Sequence, residues 1–411
     1  MIRSNHLTVQ LGLFLGLTAC FVGLAGCGSN NGGSTGTSGG PPVTNTQPVA
    51  VNIGPANNAL NEVFTDVTIC NPGTTTCQTI PNIEVDTGSE GLRLLSSQVT
   101  LSLPAITDTS GNGLQECVSF ADGSYVWGPV AAADVQLAGE KASSVPIQMI
   151  SDSSSPPVPS SCASGGGPNE NTVAALGANG ILGIGVWQQD CGFGCTPSSS
   201  SVPPWYYLCP NSVCTTASVP LASQLQNPVW LFPQDNNGLM ISLPSVPADG
   251  AQTVAGSLIF GIGTQTDNAL GAAQVYTTDA YGDFQTVYNG ISYSNSFIDS
   301  GSNGIFFLDS ATLGILECQN YPGFYCPAST TNFTATNTGL NGTTAPVSFG
   351  IANAEALFLA NNMSNYAFSN LGGTNPSSFD WGLPFFYGRK VFIGIENETG
   401  PTGTVGPYWA Y

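Results

Sequence analysis

Positive charge is nearly missing from this chain. Its 411 residues hold 5 Lys plus Arg against 25 Asp plus Glu, a formal net charge of -20. The cations are Arg3, Arg93, Lys141, Arg389 and Lys390, and no basic patch exists to neutralise phosphates, so nucleic acid is not expected as a partner. Histidine is absent beyond His6. Without an imidazole, Ser-His-Asp and Cys-His nucleophile systems and His-ligated metal sites are excluded, and acid–base chemistry falls to carboxylates. The G-x-x-x-x-G-K-[ST] phosphate loop is missing too, and no cofactor or metal is expected. Sustained helical periodicity is scarce, with 310–319 and 352–362 as the best helix candidates.

What the chain does hold is turn and strand. Gly and Pro number 51 and 29, charged residues are only 7%, and Ser, Thr and Asn supply the polar surface. Short β-branched or aromatic runs at 62–69, 125–137, 144–150, 257–263, 284–293 and 389–396 are bounded by Gly, Asn, Asp or Pro. The expected class is mainly β with a few short helices. Low-complexity stretches at 151–172, 188–220 and 327–346 read as surface loops, the middle one stapled by cysteines. With so few cations, protonating the carboxylates leaves little net positive charge, which removes much of the repulsion that drives acid unfolding. Such a balance suits work in acid and equally serves solubility.

Residues 1–27 start with Arg3, run apolar from about Leu11 and close on Leu24-Ala25-Gly26-Cys27. This resembles a bacterial lipoprotein signal, which implies lipidation at Cys27, an exported protein and membrane contact through the lipid only. Residues 28–48 form a Gly/Ser/Pro tether with a reach of about 25 Å. Gly28, where inner-membrane lipoproteins often carry Asp, points to the outer membrane. The ten cysteines beyond Cys27 are an even set, expected as disulfides in an oxidising compartment. Cys70/Cys77 and Cys318/Cys326 are the readiest pairs. Between Cys191 and Cys214, nested and sequential pairings both remain open.

The chain also repeats a phrase. "NIEVDTGSEGLRLL" at 82–95 returns 213 positions later as "NSFIDSGSNGIFFL" at 295–308. Each copy sets an aspartate, Asp86 or Asp299, after an apolar run and before a small-residue turn, Thr87-Gly88-Ser89 or Ser300-Gly301-Ser302. If two halves pack about a pseudo-twofold axis, the aspartates meet, cannot both ionise comfortably and share one proton. The pair then titrates as a unit, one carboxyl fit to act as base and the other as acid. Ser89 and Ser302 are placed to donate to the carboxylates, and Thr87 and Ser300 to bond across to the facing turn.

These paired turns, with "VSFADGSYVWG" (118–128), "NGILGIG" (179–185), "GSLIFGIG" (256–263) and "WGLPFFYGRKVFIGIE" (381–396), resemble the pepsin-type bilobal aspartic proteases over most of 60–396. The resemblance implies a mainly β, double-β architecture with a cleft between an N-terminal lobe, 49–228, and a C-terminal lobe, 229–411. It implies a monomeric endopeptidase on polypeptides, with Asp86 and Asp299 activating water. It also implies a flap at 118–128, with Phe120, turn residues Asp122 and Gly123, and Tyr125 on the opposite arm.

Departures stand out. Phe120 replaces the usual flap tyrosine, Arg93 the tryptophan it bonds, with Tyr125 as a candidate substitute. Glu90 adds a carboxylate after the first turn, and "DWGLP" is a poorer copy of "NGILG". A second reading keeps the fold without activity: an envelope protein whose cleft binds a polypeptide or glycan. Trp127, Trp205, Trp230 and Trp381 read as core or loop anchors. Arg93 reads as paired to a cleft carboxylate or in a surface ion pair. Asp190, Asp235 and Asp283 read as turn caps.

Overall fold

The computed structural model describes residues 45–151, 156–360 and 363–411; the leader with Cys27, and the tether up to residue 44, lie outside the described residues. Residues 46–48, expected in the tether, instead open the strand Thr46–Val51. Its backbone pairs on one side with Val63–Cys70 and along its whole length with Val254–Phe260, so the start of the chain sews the two halves together.

The architecture is mainly β, in a 15-stranded and a seven-stranded sheet. Six strands of the larger sheet close on themselves: Tyr125–Leu137, Glu140–Ile150, Glu90–Leu95, Gly180–Ile184, Cys77–Asp86 and Val63–Cys70 run edge to edge, and Thr68–Cys70 returns to Asp134–Gln136. Closure removes free strand edges. The interior is aliphatic, with Val67, Ile69, Ile83, Val85, Leu92 and Leu182 all buried. Beyond Thr46–Val51 the same sheet continues through Val254–Phe260, Gly238–Leu243, Arg389–Gly394, Tyr408–Ala410 and Val275–Thr277. The seven-stranded sheet carries the rest of the second half on an aromatic core of Phe307, Phe333, Phe349, Phe379 and Trp381.

Both halves present their aspartate by one local device. Cys77–Asp86 lies parallel to Gly180–Ile184, which is antiparallel to the departing strand Glu90–Leu95. In the second half Ile291–Ile298 lies parallel to Asn375–Trp381, antiparallel to Ile305–Leu308. The middle strand passes so close beneath the turn that a Cβ on Gly382 would meet the Gly304 carbonyl oxygen at 2.1 Å. "DWGLP", weak as a copy in sequence, keeps the one residue this crossing requires.

Three expectations are corrected. The 327–346 stretch is no loop but most of a hairpin, Thr331–Thr338 with Thr344–Ile351. Phe333, Ala335 and Asn337 point inward between outward polar residues, a period-2 pattern hidden by its Thr and Asn content. The helix expected over 310–319 is one turn, Ser310–Leu313, capped by Asp309 and stopped at Gly314 with φ 67°. The one expected over 352–362 is Ala354–Leu359, capped by Asn353.

All ten cysteines pair: Cys70–Cys77, Cys117–Cys162, Cys191–Cys195, Cys209–Cys214 and Cys318–Cys326. Pairing in the 191–214 cluster is therefore sequential. Five disulfides fit a protein exported to an oxidising compartment. Among the described residues no helix is long and apolar enough to cross a membrane.

Candidate active site

The two repeated turns face each other. Thr87 N donates to Ser300 Oγ at 3.1 Å, Ser300 N donates to Thr87 Oγ1 at 2.9 Å, and Ser300 Oγ donates to Val85 O at 2.6 Å. The matching bond from Thr87 Oγ1 to Ile298 O is long, at 3.4 Å. This reciprocal lacing brings the carboxyls of Asp86 and Asp299 into hydrogen-bonding contact. A Cβ on Gly88 would lie 2.7 Å from Asp299 Cγ, so the approach of the two turns requires glycine there.

Each carboxylate is held by its own turn. Gly88 N donates to Asp86 Oδ1 and Gly301 N to Asp299 Oδ1, both at 2.8 Å. Ser89 Oγ donates to Asp86 Oδ2, and Ser302 Oγ lies 2.9 Å from Asp299 Oδ2. Asn61 adds a strut the sequence did not single out. Its buried amide donates to the Asn303 and Phe368 carbonyls and accepts from Phe368 N and the Tyr387 hydroxyl. All its hydrogen-bonding capacity is used on the second half.

The site is crowded with acid. Burial, then the adjoining Asp86 carboxyl and Asp380, hold Asp299 well above the usual carboxylate range. Glu84 lies two residues before Asp86, on the same strand face, and is driven well up by burial, then by Glu62, Asp86 and Asp299. Glu62 is pushed up to about 8 by burial. Glu90, also raised chiefly by burial, accepts from Trp187 N at 3.3 Å. Desolvation favours the protonated form of each acid, so the cluster retains protons that separated carboxyls would lose.

Of the two readings of Arg93, the surface pair fails and the cleft carboxylate holds, since its partner Asp190 lines the pocket beside Thr87 and Gly88. Arg93 is fully buried, donates to Glu90 O at 2.7 Å and Glu116 Oε1 at 2.8 Å, and stands 3.5 Å from Asp190 Oδ2. Tyr206 donates to Asp190 at 2.7 Å. Asp190, read as a turn cap, is thus a member of a buried charge network that anchors the 188–220 excursion to the first turn. Asp235 accepts from Thr264 and Gln265, and Asp283 is buried.

The segment 118–128 forms a hairpin of Leu114–Ser119 against Tyr125–Leu137. Gly123 N donates to Phe120 O at 3.1 Å, and Asp122 Oδ1 accepts from Ser124 N at 2.9 Å. Phe120 is buried with Val118, Val126, Leu95 and Ile181. Tyr125 packs on the other face, against Cys117, Trp127 and Cys162, so it does not substitute for the missing flap tyrosine. Both hairpin edges are pinned. Tyr206–Leu208 pairs with Leu114–Glu116, Cys117 N donates to Trp205 O, and Gly167 N donates to Gly123 O. Beside the dyad, Thr87, Gly88, Trp187, Trp205, Tyr281 and Phe297 line a pocket that shares Trp187, Asp190 and Tyr281 with a cavity of about 860 Å³. Trp187 and Tyr281 were not singled out in sequence; the only cue was Trp187's place two residues after "NGILGIG". Trp205 and Trp230 line these spaces while packing against core clusters, and Trp127 and Trp381 are buried outright.

Comparison with known proteins agrees with this architecture. No curated protein matches the chain in sequence. An aspartic proteinase from Irpex lacteus is similar in structure, with a TM-score of 0.52 at 14% sequence identity, covering 89% of this chain and 96% of that one. That likeness identifies the aspartic proteinase fold. A family model described as "Protein of unknown function (DUF3443)" matches residues 41–411, nearly the whole chain, and the protein belongs to that family.

Proposed function

We propose that the protein is an aspartic-type endopeptidase of the bacterial envelope, tethered through a lipid on Cys27. The observation that carries the reading is the hydrogen-bonding contact between Asp86 and Asp299 within mirrored sets of donors. In this reading the pair holds one proton and binds a water. Asp299, raised by burial and by Asp86, keeps the proton and donates to the substrate carbonyl oxygen, while Asp86 takes the proton of the attacking water. No covalent enzyme intermediate forms. The pocket lined by Trp187, Trp205 and Tyr281 receives apolar side chains of a polypeptide. The remaining roles are as follows: Thr87 and Ser300 lock the turns, and Gly88, Ser89, Gly301 and Ser302 hold the carboxylates.

A second reading, a non-catalytic cleft that binds polypeptide, is favoured by one observation. The hairpin that a protease would lift is tied by Cys117–Cys162 and by hydrogen bonds on both edges. Incubating residues 46–411 with a peptide library across about pH 3 to 7 separates the two. Cleavage abolished by Asp299→Asn, with the melting profile intact, supports the endopeptidase. Absence of cleavage and of pepstatin-like inhibitor binding in folded protein would rule it out.

A further inference from the structure

Ser302 stands between two carboxyls. Its Oγ lies 2.9 Å from Asp299 Oδ2 and 2.7 Å from Asp380 Oδ2, and all three residues are fully buried. A hydroxyl has one proton to donate and otherwise accepts. If Ser302 donates to Asp299, the contact with Asp380 is a hydrogen bond only when Asp380 carries a proton and donates it. If Ser302 donates to Asp380, Asp299 must carry the proton. Two carboxylate anions would leave lone pairs opposed in a buried site. The geometry therefore demands one proton on the two carboxyls besides the hydroxyl's own, and a concerted shift moves it. The Asp380 Oδ2–H bond breaks as Ser302 Oγ–H forms, and the former Ser302 proton passes to Asp299 Oδ2. The net change is one proton from Asp380 to Asp299, with the serine regenerated.

The first turn lacks this arrangement. Asp380 sits in register with Phe297, whereas the corresponding place beside Glu84 is filled by Ile181. The carboxyls acting on Asp299 are Asp86, from the facing turn, and Asp380; Glu84 acts from the strand beneath, with Glu62 behind it. The strands flanking Asp380 present Phe297 and Phe306 at its register, and Tyr288 and Tyr293 pack on its neighbour Phe379, whose side chain alternates to the opposite face. Arg93, the buried cation of the first half, is engaged by Glu116 and Asp190.

We propose that Asp380 is a positioning residue that shares a proton with Asp299 through Ser302 and so keeps the dyad singly protonated to higher pH than two carboxyls alone allow. This rests on the reading of Asp86 and Asp299 as a catalytic dyad. The test is Asp380→Asn in the full chain, read by the pH profile of kcat/KM and by infrared titration of the protonated carboxyl band. An amide in that place preserves shape and donates to Ser302, but carries no negative charge and cannot release a proton to Asp299.

The expected result is an alkaline limb displaced toward acid by about one pH unit or more, a tenfold loss above the limb, with the acid limb in place. The carboxyl band should lose its intensity at correspondingly lower pH. Ser302→Ala, which cuts the connection while leaving both acids, should move the band the same way and covers a failure of Asp380→Asn to fold. Profiles and band midpoints that superimpose on the parent would overturn the proposal. If the parent cleaves nothing, the catalytic reading falls, and the infrared midpoint alone decides whether Asp380 shares the proton.

Discussion

The two halves present the same turn from different surroundings. In the first, Asp86 rises from a closed six-stranded barrel filled by Val, Ile and Leu, with an extra acid, Glu84, on the approach strand. In the second, Asp299 rises from an open sheet backed by phenylalanines and Trp381, with its extra acid, Asp380, on the returning strand. The turns need only their glycines, hydroxyls and the reciprocal lacing, which both settings supply. What differs is which carboxyl feels a further acid through a shared serine. Symmetry of backbone thus coexists with asymmetry of surroundings, the condition under which two like residues can take different roles.

The largest effect should come from removing the feature the halves share. Asp299→Asn or Asp86→Asn is expected to lower peptide cleavage about 10²- to 10⁴-fold with the fold unchanged, checked by kinetics beside circular dichroism. If the two variants are equally inactive, the halves are equivalent in catalysis despite their settings.

Next come the cores. Phe307 is fully buried among Tyr325, Phe333, Phe349 and Phe379. Phe307→Ala should lose about 3–5 kcal/mol in denaturant unfolding, against about 0.5–1.5 kcal/mol for Ile83→Val in the barrel. A smaller loss at Phe307 would show that the aromatic half collapses around the deletion.

The lacing should break unequally. Ser300→Ala removes a 2.6 Å donor to Val85 O and the acceptor of Thr87 N, while Thr87→Val gives up a 3.4 Å bond and the acceptor of Ser300 N. Melting should place the Ser300 loss at about 1–3 kcal/mol, the larger of the two.

The smallest effect is a slope. Glu62 titrates near 4.5 when unfolded and is pushed up to about 8 by burial. Glu84 and Asp299 are raised as well. The folded state therefore binds more protons than the unfolded one in this window, and stability falls as pH rises through it. Glu84→Gln should flatten the decline in Tm between about pH 5 and pH 8. A parent protein that grows more stable over that range would contradict the burial of these acids.

Much of this was open to reading in the chain. Local chemistry carries its own signal: Gly at a close approach, Asp before a small-residue turn, a β-branched and aromatic run in 125–137. The hairpin at Thr331–Thr338 escaped because its inward Asn337 and outward threonines blur the polarity on which alternation is recognised. Asp190 as a turn cap and Arg93 as a surface pair were misjudged for another reason. A charge alone in sequence looks solvated, and only packing supplies Glu116 and Tyr206 to make its burial tolerable.

By itself the sequence determined the strand-rich class, the reliance on carboxylates and the duplicated turn, because each follows from residue types over a few positions. Tertiary structure alone decided which acids touch, that the hairpin is pinned at both edges, and that Ser302 is caught between two carboxyls. Those facts join residues as far apart as 78 and 213 positions, and no local rule of chain chemistry spans such distances.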